Sequence, residues 1–133
     1  MRYVNAITQA LRDSMEQDPT VIVMGEDVAQ AGGSFKATRG LLDTFGEERV
    51  IDTPISESSI TSAAVGAALT GLKPVVEIMF MDFITLSMDA LVNQAAKARY
   101  MFGGQGSVSM VLRTPHGGGL SAGPQHSQCL EAW

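Results

Sequence analysis

Four short apolar bursts punctuate this chain, and their spacing limits what it can fold into more than any other feature. They are "VIVMGED", "RVIDTP", "KPVVEIMF" and "SVSMVLRTP", each rich in β-branched residues and closed by Gly, Pro or acids, which is the pattern of buried strands. Between them lie segments of helical character. Val4, Ile7, Ala10, Leu11 and Met15 recur at helical spacing before "QDPT" stops the run, and "LLDTFG" is a short helical piece closed by Gly46. From Ser56 the pattern turns to small residues, with Ala63, Ala64, Gly66, Ala67, Ala68 and Gly71 predicting a buried helix whose backbone approaches a neighbour closely. Ile84 to Phe102 predicts one long helix, stopped by "GGQG". "HGGGLSAGPQ" reads as a Gly-rich loop, and "HSQCLEAW" as the first turns of another helix. Strands separated by helices require crossover connections, so the expected class is α/β with a mainly parallel sheet covered on both faces. No internal repeat or linker divides residues 1–133, so they form one domain or part of one. The uncapped apolar start of its last helix suggests a chain cut at Trp133.

Composition removes several function classes. The net charge is −5 and the nine Lys and Arg residues are scattered, which argues against a nucleic-acid surface. Cys129 is the sole cysteine, so no internal disulfide forms and a thiolate metal site lacks ligands; a reducing, cytoplasmic setting fits. The first residues carry charges at Arg2, Arg12, Asp13 and Glu16 and are no signal peptide. The uncharged run after Glu57 is shorter than the roughly 20 apolar residues a bilayer demands, so no membrane segment is expected.

In open parallel sheets ligands gather outside the carboxyl ends of the strands, which here lead into "GED", "DTPISE", "MFMDF" and "TPHGGG". Glu57 stands there, before fifteen residues without a charge. As the residue after Ser56, a good N-cap, it can simply favour the helix dipole. As a carboxylate backed by an apolar helix it can hold a proton against a ligand nitrogen or hydroxyl. His126 follows the glycine loop and can exchange a proton near neutral pH, or merely bond locally at a helix start. His116 reads as a loop residue. The two histidines and Asp82 lack metal-ligand spacing, and no metal site is expected from this chain alone. Phe80 and Phe83 end a strand, where an aromatic can pack in the core or stack on a flat heterocycle. "GLSAG" matches the G-x-S-x-G nucleophile elbow at Ser121, but the preceding strand ends several residues earlier and no downstream acid and histidine complete a triad. A serine hydrolase is therefore a minor alternative. No Gly-rich phosphate cradle is present, so a phosphate-bearing ligand needs a second chain to hold it.

Taken in order, "MGEDVAQAGGSFKATRGL", "FGEERVIDTPISES", "VGAALTGLKPVVEIMFMDF", "NQAAKARYMFGGQ" and "QHSQCLEAW" closely resemble the beta subunit of the thiamin-diphosphate-dependent 2-oxoacid dehydrogenases, a family that includes the pyruvate, branched-chain and acetoin enzymes. The resemblance implies a partial transketolase-like pyrimidine-binding domain over residues 1–133, with the C-terminal transketolase-type domain of complete beta subunits lying outside this chain. It implies decarboxylation of pyruvate or a related 2-oxoacid, or cleavage of acetoin, with acyl transfer to lipoamide. Glu57, at the family's "SE" glutamate, would hydrogen-bond the cofactor's aminopyrimidine and so help remove the thiazolium proton. Phe83 matches the aromatic that packs on that ring, and His126 the histidine that assists acyl transfer. Diphosphate and magnesium would be held mainly by an alpha subunit, in a heterotetramer of two alpha and two beta chains that serves a lipoyl-bearing acyltransferase. Ser62 stands where relatives often carry Gly, and "VVEIMFMDF" is more similar to the acetoin and bacterial pyruvate types. A non-catalytic docking fragment is the alternative of a different class.

Overall fold

A computed structural model describes residues 1–133 as a three-layer α/β domain. Helix α1 (Tyr3–Gln17) leads into β1 (Val21–Gly25), followed by a loop, α2 (Leu41–Phe45), β2 (Val50–Asp52), α3 (Glu57–Leu69) and β3 (Lys73–Glu77). A 3-10 turn at Met81–Phe83 opens a continuous helical run of α4 (Ile84–Asp89), a π-helical stretch (Ala90–Ala95) and α5 (Ala96–Met101). Strand β4 (Val111–Arg113) and a second 3-10 turn (Pro124–His126) complete the order. All strand pairs are parallel, in the order β2-β1-β3-β4, as expected from the spacing of the apolar bursts.

The alternation of side chains across the sheet divides the core in two. On one face Val21 and Val23 pack with Leu11 and Met15 of α1 and with Val28, Leu41 and Val50. On the other, Met24, Val76 and Ile78 meet Ile60 and Ala64 of α3. Central β1 is buried along its whole length, which explains why it reads as an unbroken apolar run rather than an alternating one. Pro74 lies inside β3, between two neighbours, yet leaves no ladder bond broken. Lys73 donates its N–H to Thr20, so the nitrogen of Pro74 points the other way, where β4 begins its pairing only at Val75.

Three expectations need correction. The run Ile84 to Phe102 is continuous but contains one π-helical stretch, Ala90–Ala95, which packs against α3. Helix α3 buries one stripe (Glu57, Ile60, Thr61, Ala64, Val65, Ala68), whereas Ser59, Ser62, Ala63 and Gly66 form an exposed face of small residues. "HSQCLEAW" forms no helix after the turn at Pro124–His126. There the backbone is drawn sideways: Gly117 donates to the Gln128 carbonyl at 3.1 Å, and the Gln128 side chain donates to Asp82 at 2.8 Å. No helix of the chain is long and apolar enough to cross a membrane.

Candidate active site

The carboxyl ends of the strands bring together the acids and aromatics of four separate segments. Glu57 is the first residue of α3 and only 7% exposed. Ser56, expected to cap this helix, instead turns its hydroxyl back to donate to the Pro54 carbonyl at 3.0 Å. The helix start is fixed from inside. The Thr61 and Ser87 hydroxyls lie 2.7 Å apart and reach the Glu57 carbonyl oxygen at 2.9 and 3.3 Å, joining α3 to α4.

Glu26, just past β1, is a second buried carboxylate at this end of the sheet. Burial pushes its carboxyl above the ordinary value, and the nearby charge of Glu57 pushes it further; the Ser56 N–H donates to it and works the other way. Its Oε1 is buried without a hydrogen-bond partner. The ion pairs of the chain join Lys73 to Asp18 and Arg113 to Glu77, so neither Glu26 nor Glu57 has a counter-ion. Sequence reasoning noted the "GED" strand end but did not single out Glu26. The available signal was an acid placed directly after an apolar burst.

His126 sits in an aromatic clasp. Its ring meets Phe80 edge-on at 4.9 Å and Phe83 at 5.3 Å, and Phe80 in turn meets Phe35 at 6.0 Å. The buried Nδ1 of His126 has no partner. Phe83 takes the core role considered for it, packing against the Ile60 and Met24 cluster, and also meets His126 in a T-shaped contact. Because Phe83 directly precedes α4, and Ser87 of α4 touches Glu57, one helix start ties the aromatic clasp to the carboxylate. Asp82 anchors the segment that carries His126. Burial raises its carboxyl, but donation from the Gln128 side chain and from the backbone around it outweighs burial and holds it below the ordinary value.

Glu77 ends β3 at 3% exposure. Burial raises its carboxyl, against the charge of Arg113 and the Ser34 N–H.

The other candidates stand apart. His116 places Nδ1 2.8 Å from Glu131 Oε1 and 3.3 Å from Cys129 Sγ, on the exposed surface. Both neighbours address the same ring nitrogen, whereas a catalytic triad needs one on each. The structure thus separates His116, His126 and Asp82 into three different environments. Ser121 is exposed in a loop, with β4 ending at Arg113 and only a 3-10 turn following at Pro124–His126, so no strand-turn-helix elbow forms.

An acid pair without counter-ions and an aromatic clasp, both at the strand ends of a parallel sheet, mark this as an α/β domain whose polar groups gather at one end. The chain belongs to the family "Transketolase, pyrimidine binding domain", whose match covers residues 1–133. It is 46% identical over 132 residues to the 2-oxoisovalerate dehydrogenase subunit beta of Bacillus subtilis, covering 99% of this chain and 40% of that protein. It is 49% identical over 128 residues to the mitochondrial pyruvate dehydrogenase E1 component subunit beta-2 of Oryza sativa subsp. japonica, and 48% identical over 128 residues to the mitochondrial subunit beta of Saccharomyces cerevisiae. These alignments cover 96% of this chain and 34% and 35% of those proteins. The chain therefore spans between a third and two fifths of the length of these relatives.

Proposed function

We propose that the chain supplies the pyrimidine side of a thiamin-diphosphate site in the beta subunit of a 2-oxoacid dehydrogenase. The observation that carries this is Glu57, buried at a helix start without a counter-ion and backed by a second buried acid. Three buried polar atoms without partners, on Glu26, Thr53 and His126, suit a ligand that brings its own donors and acceptors. A protonated Glu57 carboxyl would donate to a ring nitrogen and, when ionised, accept from a ring N–H, so a proton can be held at one place during the reaction. When bound, thiamin diphosphate supplies the electron sink for cleavage next to the keto carbon. Phe83 would limit the position of the flat ring and keep water from Glu57, and His126, oriented by Phe80 and Phe83, would stabilise charge on the acyl group during transfer to lipoamide. Diphosphate and magnesium would be held by an alpha subunit, since this chain contributes no glycine cradle for them. The substrate would be pyruvate or a related 2-oxoacid, or acetoin.

A docking role favours the same assembly. Leu69, Val92, Tyr100, Met101 and Phe102 are all exposed near the end of α3 and along the run from the π-helical stretch to the end of α5, a surface suited to a partner subunit. Glu57→Gln tests the catalytic reading in the reconstituted complex. Turnover should fall by at least a hundredfold with assembly unchanged; normal turnover would sink the assignment of Glu57.

A further inference from the structure

We infer that Glu77 is a positioning residue that fastens the loop carrying Phe35 over the candidate site. Its place is central: Glu77 is in register with Gly25 of β1 on one side and with Arg113 of β4 on the other. The carboxylate takes a hydrogen bond from the Arg113 guanidinium and another from the Ser34 backbone N–H. Gly33 lies directly against it. A Cβ at Gly33 would sit 3.2 Å from Glu77 Oε1 and 3.2 Å from Thr38 Oγ1, and the residue has φ +80, so this seat admits only glycine without strain. Two further ties close the loop, from Gly33 N–H to the Asp27 carbonyl at 2.7 Å and from the Thr38 hydroxyl to the Val28 carbonyl at 2.6 Å. Phe35 follows two residues after Gly33 and meets Phe80, whose ring meets His126. The path from Arg113 through Glu77 and the loop to Phe35 therefore ends in the aromatic clasp. The hydrogen bonds of the Glu77 carboxylate go to Arg113 and the Ser34 N–H and to no clasp residue, so it acts through the loop. Its consequence for turnover rests on the thiamin-diphosphate reading, whereas its hold on the loop does not.

Limited trypsin digestion of the full-length protein reads the loop directly, because Lys36 and Arg39 lie in it. The residues after Lys36, Ala37 and Thr38, are fully buried, so cleavage requires local opening. Glu77→Gln should accelerate cleavage at Lys36 and Arg39 at least tenfold, with cleavage at Lys97 and Arg99 of α5 unchanged. Gly33→Ala, which leaves the ion pair in place and pushes the loop off its seat, should give the same pattern and decides the matter if Glu77→Gln does not fold. Unchanged loop cleavage, or equal acceleration at all four sites, would overturn the inference. In the assembled enzyme Glu77→Gln should lower kcat about tenfold with cofactor affinity little altered. If Glu57→Gln abolishes turnover and Glu77→Gln opens the loop yet leaves kcat within twofold, the positioning role is wrong. If neither variant affects turnover while the loop opens, the functional reading fails and the loop assignment stands.

Discussion

Replacing Thr61 by Val tests whether the start of α3 is held by the buried hydroxyl pair. Thr61 and Ser87 are both 0% exposed, and no water can compensate for a lost partner there. The substitution keeps the shape but removes the 2.7 Å bond to Ser87 and the 2.9 Å bond to the Glu57 carbonyl. Ser87 is then left with only the 3.3 Å contact to that carbonyl. A buried hydroxyl left nearly unsatisfied costs about 1–3 kcal/mol, a range that already contains the net worth of the bond it loses. With the second bond also gone, the upper part of that range, roughly 2–3 kcal/mol, is expected. At this chain length that lowers the midpoint of thermal unfolding by roughly 6–15 °C. Ser87→Ala should cost less, about 1 kcal/mol, because Thr61 keeps its carbonyl partner. The double variant Thr61→Val with Ser87→Ala leaves no orphaned hydroxyl and should be no worse than Thr61→Val alone, a coupling of about 1 kcal/mol. Urea denaturation followed by circular dichroism measures all four corners of the cycle. A loss under 0.5 kcal/mol for Thr61→Val, or strict additivity in the double variant, would refute the argument.

Glu26→Gln should flatten the dependence of stability on pH. The native carboxyl is raised above its ordinary value, so the native state binds the proton more tightly than the unfolded chain, and stability falls as pH rises from the ordinary carboxylate value through the raised one. The variant should gain urea resistance relative to the parent at pH 7 and show no gain at pH 4; a gain at both would assign the effect to packing instead. Arg49→Met should cost roughly 2–3 kcal/mol, because the guanidinium bridges the carbonyls of Met15, Asp18 and Val21 between α1 and β1. Arg49→Lys should recover less than half of that, since an ammonium cannot span the same three acceptors, and full recovery would contradict the geometric account.

The parts of the fold legible from sequence are those set by local burial. The strand "VIVMG" is apolar because both faces of β1 are covered, and "LLDTF" stops at Gly46 because that residue adopts φ +78 while its N–H closes on Leu42. What sequence could not show depends on partners distant along the chain. Ser56 has the chemistry of a cap, yet its hydroxyl finds the Pro54 carbonyl first. "HSQCLEAW" has helical composition, yet Asp82, 46 residues away, holds Gln128 out of a helix. The π-helical stretch has no marker in "ALVNQA", whose residues suit an α-helix equally well. At the site, Glu57 was readable as an isolated charge before an apolar helix. Glu26 and Glu77 carried only the weak signal of an acid at the end of an apolar burst, because their importance lies in which loop or acid they face, and those faces are created by sheet register.

The distribution of unsatisfied polar atoms makes the same case without reference to any relative. A native interior leaves few buried polar groups unpaired, since each costs about 1–3 kcal/mol. Here the buried side-chain atoms without partners are Glu26 Oε1, Thr53 Oγ1 and His126 Nδ1. Glu26 follows β1 and Thr53 follows β2, while His126 is held by two phenylalanines that follow β3. All three therefore belong to the carboxyl side of the sheet, although the core on both faces is satisfied by helices. Random imperfection would scatter such atoms among the layers. Their collection at one end fits the proposed function, in which the sheet stabilises the domain while its strand ends keep groups that a ligand would satisfy. Removing the orphaned groups singly should then raise stability and lower ligand affinity together, a pairing that a purely structural role for Glu26 or His126 does not produce.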